Sequence, residues 1–112
     1  MDLSPEKYRQ DFEIVRLTAE QLIKDLEVFG IAIHFSGDPL LAYDELLQQL
    51  KPILKELYKN QSSTFQSVLY RIDINERKFR QLLAGENFID RLAEEVLHRE
   101  FQKVLIRKYF SQ

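Results

Sequence analysis

The chain has no cysteine. That excludes disulfides, a cysteine nucleophile and thiolate metal sites, and it accords with a reducing compartment. Glycine and proline are scarce, three of each in 112 residues, so the few that occur mark the element boundaries. No stretch approaches the ~18 consecutive apolar residues of a membrane span. The opening Met1-Asp2-Leu3-Ser4-Pro5-Glu6 is acidic and polar. It has neither the basic start nor the apolar middle of a secretory signal. The reading is a soluble, cytoplasmic protein without membrane contact. No glycine-rich phosphate loop and no Gly-x-Ser-x-Gly elbow is present, and the serines stand in cap-like positions. No activated nucleophile is in view, so the expectation is a non-enzyme without a cofactor.

What is present is helical. Hydrophobic residues are 45% of the chain and charged ones 30%, the balance of one globular domain over residues 1–112. Eight Phe and five Tyr can fill its core. The charges are mostly Glu, Lys and Arg, which favour helices. The fold class expected is all-α: a compact bundle of four to five helices, with a kink or break near Pro52 and a helical corner near residues 73–75.

The first helix is expected from Ser4-Pro5-Glu6, a cap, a first-turn proline and an acid at the positive dipole end. Behind it Tyr8, Phe12, Val15, Ala19, Leu22, Leu26 and Phe29 repeat every three or four residues, a bundle seam that Gly30 stops. Ile31, Ile33 and Phe35 then alternate with Ala32 and His34 at the strand period. No second strand is in view, so the segment reads as an extended linker tucked under the bundle. Asp38 is expected to cap a second helix with Pro39 at its first position. That helix carries Leu40, Leu41, Tyr43, Leu46, Leu47, Leu50, Ile53, Leu54, Leu57 and Tyr58 in two adjacent stripes, and should be well buried. Ser62 or Ser63 can cap the next. After the turn Ala84-Gly85-Glu86-Asn87, the last helix should run from Phe88 to Phe110. Its apolar face carries Ile89, Ala93, Val96, Leu97 and Val104, with Leu92 and Phe101 at the margins.

The candidate chemistry is thin. Glu95 and His98 match Glu-x-x-His, half of a di-iron ligand set. The second pair is missing, and the wheel places both residues on the watered face, so no metal site is assigned. His34 has apolar neighbours and reads as a buried or half-buried side chain satisfied by backbone. Arg91, Arg99, Lys103, Arg107 and Lys108 scatter around the last helix and are diluted by Glu94, Glu95 and Glu100. They read as a solvated face with pairs such as Glu95–Arg99.

The stretch Ser67 to Leu83, "SVLYRIDINERKFRQLL", alternates in its middle like a strand. Its flanks settle the reading. Phe65, Val68, Leu69 and Ile72 form a helical face. Asp73-Ile74-Asn75-Glu76 offers a cap close to a capping box. Phe79, Leu82 and Leu83 continue on a second helix closed by Gly85. This corner resembles DNA-binding helix-turn-helix motifs. Val68, Ile72, Ile74, Phe79 and Leu82 fall at core positions of such motifs, and "RQLLAGE" is similar to the end of many recognition helices. The resemblance implies a groove-facing set of Arg77, Lys78, Arg80 and Gln81. Two positions depart from the pattern: Asp73 stands where Gly is usual, and Leu69 where a small residue is usual.

Residues 1–56 carry six Lys/Arg against eleven Asp/Glu, and residues 57–112 carry ten against seven. Opposite signs would let two copies meet head to tail, although the excess is no more than an ordinary solvated surface carries. The last helix ends apolar nearly all round, which makes Ile106, Tyr109 and Phe110 interface candidates. The leading expectation is therefore a non-catalytic interaction or regulatory module that binds a protein partner, itself included, as a homo-oligomer. The alternative is nucleic-acid binding through the corner at residues 65–84.

Overall fold

A computed structural model of the chain describes residues 11–110. The expected start at Ser4-Pro5-Glu6 and the seam residue Tyr8 lie outside the described residues. Within them are five helices and no strand: α1 Phe12–Glu27, α2 Ala42–Asn60, α3 Ser62–Ile72, α4 Glu76–Ala84 and α5 Phe88–Phe110. The molecule is the compact all-α bundle that its composition implies. No described helix is long and apolar enough to cross a membrane.

Asp11 caps α1, its Oδ1 accepting the Ile14 N–H at 3.2 Å. The predicted seam is rotated. Phe12 is exposed and Val15 half-buried, while the buried stripe runs Ile14, Thr18, Ala19, Gln21, Leu22, Asp25, Leu26. The reason is that α5 takes up the Ile14–Asp25 side of α1, so three polar side chains enter the interior with it. Gly30 stops the turn after α1 with a left-handed φ of 72°, and the Ile31 N–H reaches back to the Leu26 carbonyl at 3.2 Å.

Residues 31–36 carry no regular secondary structure. Ile33 is buried, Ile31 and Phe35 pack half-buried on the core, and Ala32 and His34 face outward. A side chain of α2 serves where a strand partner would. Gln49 Oε1 accepts the His34 N–H at 2.8 Å, and its Nε2 donates to the His34 carbonyl at 2.7 Å. Only the backbone of His34 is satisfied this way. Its ring is exposed, contrary to expectation, because the alternation that buries Ile33 turns it out.

Asp38 Oδ1 accepts the Leu40 N–H at 3.0 Å, but this closes a turn, and α2 begins only at Ala42. Leu40 and Leu41 therefore precede the helix and stay exposed instead of joining its buried stripe. The helix runs unbroken through Pro52. Pro52 and Gln48 are both exposed, so the Gln48 carbonyl that loses its helical donor faces the solvent side, where the loss is small. Gln61 alone separates α2 from α3, and neither Ser62 nor Ser63 caps.

The corner falls where the sequence places it. α3 ends at Ile72, and Asp73 turns left-handed at φ 74°, ψ 46°. The Ile74 N–H closes the turn on the Leu69 carbonyl at 2.9 Å. The turn consumes Asp73, so the cap of α4 is Asn75, whose Oδ1 accepts the Lys78 N–H at 2.8 Å. Tyr58, Phe65, Phe79 and Phe88, one from each of α2 to α5, meet edge to face with centroids 5.1 to 5.8 Å apart. α5 packs against all four other helices and is the axis of the fold.

Candidate functional site

An open groove of about 560 Å³ runs along one side of α5. Its buried floor is Leu46, Leu82, Leu97 and Phe101. Its rim is the turn into α2, where Leu40 is 74% exposed, with Tyr43 beside it. Arg91, Glu94, Glu95 and His98 project from α5 onto its wall at helical spacing, and Lys78 of α4 joins them, 3.7 Å from Glu95 Oε2.

Glu95 and His98 thus line a groove, both half-buried, where the wheel had put them in open water. The expected Glu95–Arg99 pair is not formed. Glu95 turns to Lys78, and Arg99 reaches across to the Asp73 carboxylate and carbonyl at the corner. Among the described residues no group of three or more His, Cys, Asp or Glu side chains is placed to hold a metal ion.

Of the four residues of the helix-turn-helix resemblance, three stand at helical spacing on one exposed face of α4 and one does not. Lys78 faces the groove, while Arg77, Arg80 and Gln81 are exposed. Arg80 pairs with Glu76 of its own helix at 2.6 Å. Among the described residues Arg77 has no ion-pair partner. The proposed interface residues Ile106, Tyr109 and Phe110 are exposed by 40, 39 and 64%. Phe12 lies at the same end of the molecule, since its neighbour Glu13 pairs with Lys108 at 3.3 Å.

The other concentration of polar groups is sealed inside the bundle. Asp25 of α1 and Glu100 of α5 are both buried, Glu100 completely. Asp25 Oδ1 accepts from Gln21 Nε2 at 3.0 Å and from Arg71 Nε of α3 at 3.1 Å. Asp25 Oδ2 accepts from Lys103 Nζ at 2.7 Å. Arg107 Nη2 extends the network to Gln21 Oε1 at 2.6 Å. Glu100 fares differently. Lys103 Nζ lies 2.6 Å from its Oε1, yet neither oxygen receives a hydrogen bond of ordinary angle. Burial pushes the Glu100 carboxyl up to about 8, assisted by the neighbouring Asp25 carboxylate and opposed by Lys103. Burial pushes Asp25 the same way, but its interactions with Glu100, Lys103 and Gln21 outweigh it and hold Asp25 below its ordinary value. Of the pair, Glu100 keeps the proton.

Sequence reasoning passed over both carboxylates. It counted Glu100 among the solvated acids of α5. The signal was present: Glu100 stands four residues from Val96 and from Val104, inside the apolar stripe. Asp25 continues a spacing of four, three and four from Ile14 through Thr18 and Gln21, which reads as a helix face only if polar residues are admitted to it. No protein-family model, curated protein or solved structure matches the chain.

Proposed function

We propose that the protein is a non-catalytic binding module that seats an apolar helical segment of a partner protein in the groove beside α5. The observation that carries this reading is the continuity of apolar surface from the buried floor to the rim. Leu40 is 74% exposed although the turn places it in the same groove as Leu46, Leu82 and Phe101, and its chain neighbour Leu41 is 52% exposed. Large apolar side chains in a contiguous patch mark interaction surfaces, while single scattered ones do not. The mixed charges of the wall, Lys78 and Arg91 against Glu94 and Glu95, supply the polar border around an apolar centre. An amphipathic helix fits such a surface through apolar residues spaced three and four apart.

The test is selection from a displayed library of random helical peptides against the wild-type protein. Enrichment of peptides with that spacing, and loss of their binding when Leu40 and Leu41 are both changed to Asp, is the expected result. Enriched peptides that bind the double variant equally well overturn the reading.

Self-association is a second reading, and a separate observation favours it. Phe12, Ile106, Tyr109 and Phe110 form an exposed apolar end. It predicts an oligomer in sedimentation equilibrium that Phe110→Glu dissociates. A strict monomer at high concentration removes it.

A further inference from the structure

Two carboxylates, one ammonium and one guanidinium meet where α1, α3 and α5 converge. The donors are unevenly shared. Gln21, Arg71 and Lys103 all bond to Asp25. Glu100, with no accessible surface, has Lys103 close to one oxygen and no well-directed donor to either. A charge on Glu100 would lie beside the Asp25 carboxylate without water and without adequate hydrogen bonds. Such a charge is tolerated only if the group stays neutral or the surroundings rearrange.

We propose that Asp25 and Glu100 hold a single proton between them, and that this proton is a latch that keeps the C-terminal half of α5 seated on α1 and α3. Its loss leaves two carboxylates facing each other. Water must then enter, or the Glu100 side chain must leave, and either movement displaces α5. The charged groups facing the pair are Lys103 from α5 itself and Arg71 from α3, with Gln21 of α1 relaying to Arg107. Among the described residues no charged side chain of α2 or α4 bonds to either carboxylate. Arg71 is 41% exposed and donates its Nε to Asp25, and no hydrogen bond from it reaches Glu100. Next to the latch, Phe101, Val104 and Leu105 form with Ile14 a small core of their own, which any shift of α5 disturbs.

The sign follows from linkage. A carboxyl whose folded value lies above its unfolded one binds the extra proton in the folded state. Stability is then complete at low pH and falls as pH rises through the folded value. The experiment is urea unfolding of wild type and Glu100→Gln from pH 5 to pH 9. Both proteins keep His34 and His98, so their difference isolates Glu100. Relative to the variant, the folding constant of wild type should fall about tenfold per pH unit between about pH 5 and about pH 8. Parallel profiles overturn the proposal. If the variant does not fold, the Glu100 carboxyl of the wild type is followed by carbon-13 NMR. A midpoint near 8 supports the shared proton, and one near the ordinary 4.5 overturns it. The methyl resonances of Ile14 and Ile72 report the latch itself. They should shift with the same midpoint, and resonances fixed through it overturn the latch.

Discussion

Glu95 and Glu100 stand on the same helix, little more than one turn apart, in opposite surroundings. Glu95 looks into an open groove and meets Lys78 at 3.7 Å. Glu100 looks into the bundle, has no exposed surface and sits against another carboxylate. Both belong to clusters of mixed charge over apolar side chains. What separates them is access to water. In the groove a charge can be changed at small cost, since solvent replaces a lost partner. In the sealed cluster the two carboxylates depend on their partners, because water does not reach them. The groove is therefore where this protein can vary its contacts, and the cluster is where it is held together.

The strongest way to break that comparison is to remove one partner from the sealed side. Lys103→Met takes away the ammonium that bridges Asp25 and Glu100. The expected loss is roughly 3 to 5 kcal/mol in urea unfolding at neutral pH, the range for orphaning a buried charge. Removing both carboxylates together with the ammonium should cost less than removing the ammonium alone. The triple variant Asp25→Asn, Glu100→Met, Lys103→Met should recover at least half of that loss, because well-packed neutral side chains carry no desolvation penalty. A triple variant less stable than Lys103→Met would show that the network itself holds the bundle.

A second effect concerns acid. The Asp25 carboxyl lies below its ordinary value of 3.8 in the folded state. Its stabilisation is present above that value and is lost as pH falls through the folded one. Wild type should lose stability below about pH 4, and Asp25→Asn should lose it less steeply, by up to about tenfold in folding constant per pH unit. Circular dichroism melts from pH 5 to pH 2 measure this limb. With the alkaline loss set by Glu100, wild type should be most stable between the two.

These two regions also differ in how far the sequence disclosed them. Helix class, the start of α5 and the corner after Ile72 were all legible. They rest on local signals: apolar spacing, Asn and Asp near the corner, and Gly85-Glu86-Asn87 before Phe88. The reading failed where tertiary packing chose between alternatives of similar local quality. Phe12 and Val15 make as good a stripe on α1 as Ile14 and Thr18, and only the position of α5 decides between them. Admitting Thr18, Gln21 and Asp25 to a buried face needs partners remote in sequence, namely Arg71, Lys103 and Arg107. The wall of the groove was half legible. Glu95 and His98 were singled out as a pair, but Lys78 joins them only because the left-handed turn at Asp73 and the Asn75 cap set the rotation of α4.

That dependence gives the third prediction. Asn75→Ala removes the side-chain acceptor of the Lys78 N–H. A lost cap of this kind costs about 1 kcal/mol, read in the same urea titration. Because the cap sets the first turn of α4, the variant should also weaken any peptide selected for the groove, although Asn75 does not line it.

The smallest effect on stability is expected where the effect on binding is largest. Leu40→Asp with Leu41→Asp places one charge on the rim and one next to it, at side chains that are mostly in water already. Neither residue belongs to a helix, and Leu40 N–H bonds to Asp38 through its backbone, which the change leaves intact. Surface changes of this kind stay within about 0.5 kcal/mol, so the melting curve should be almost unaltered. Peptide binding should nevertheless be lost, because a helix docking on the floor would have to desolvate the carboxylate at position 40. The Asp pair also adds negative charge beside Asp44, which sharpens the contrast with the sealed cluster. There, an added or orphaned charge acts on the fold. Here, the same charge acts on whatever the groove holds and leaves the fold as it was. A double variant that unfolds would place Leu40 and Leu41 in the core after all and erase the distinction between the two regions.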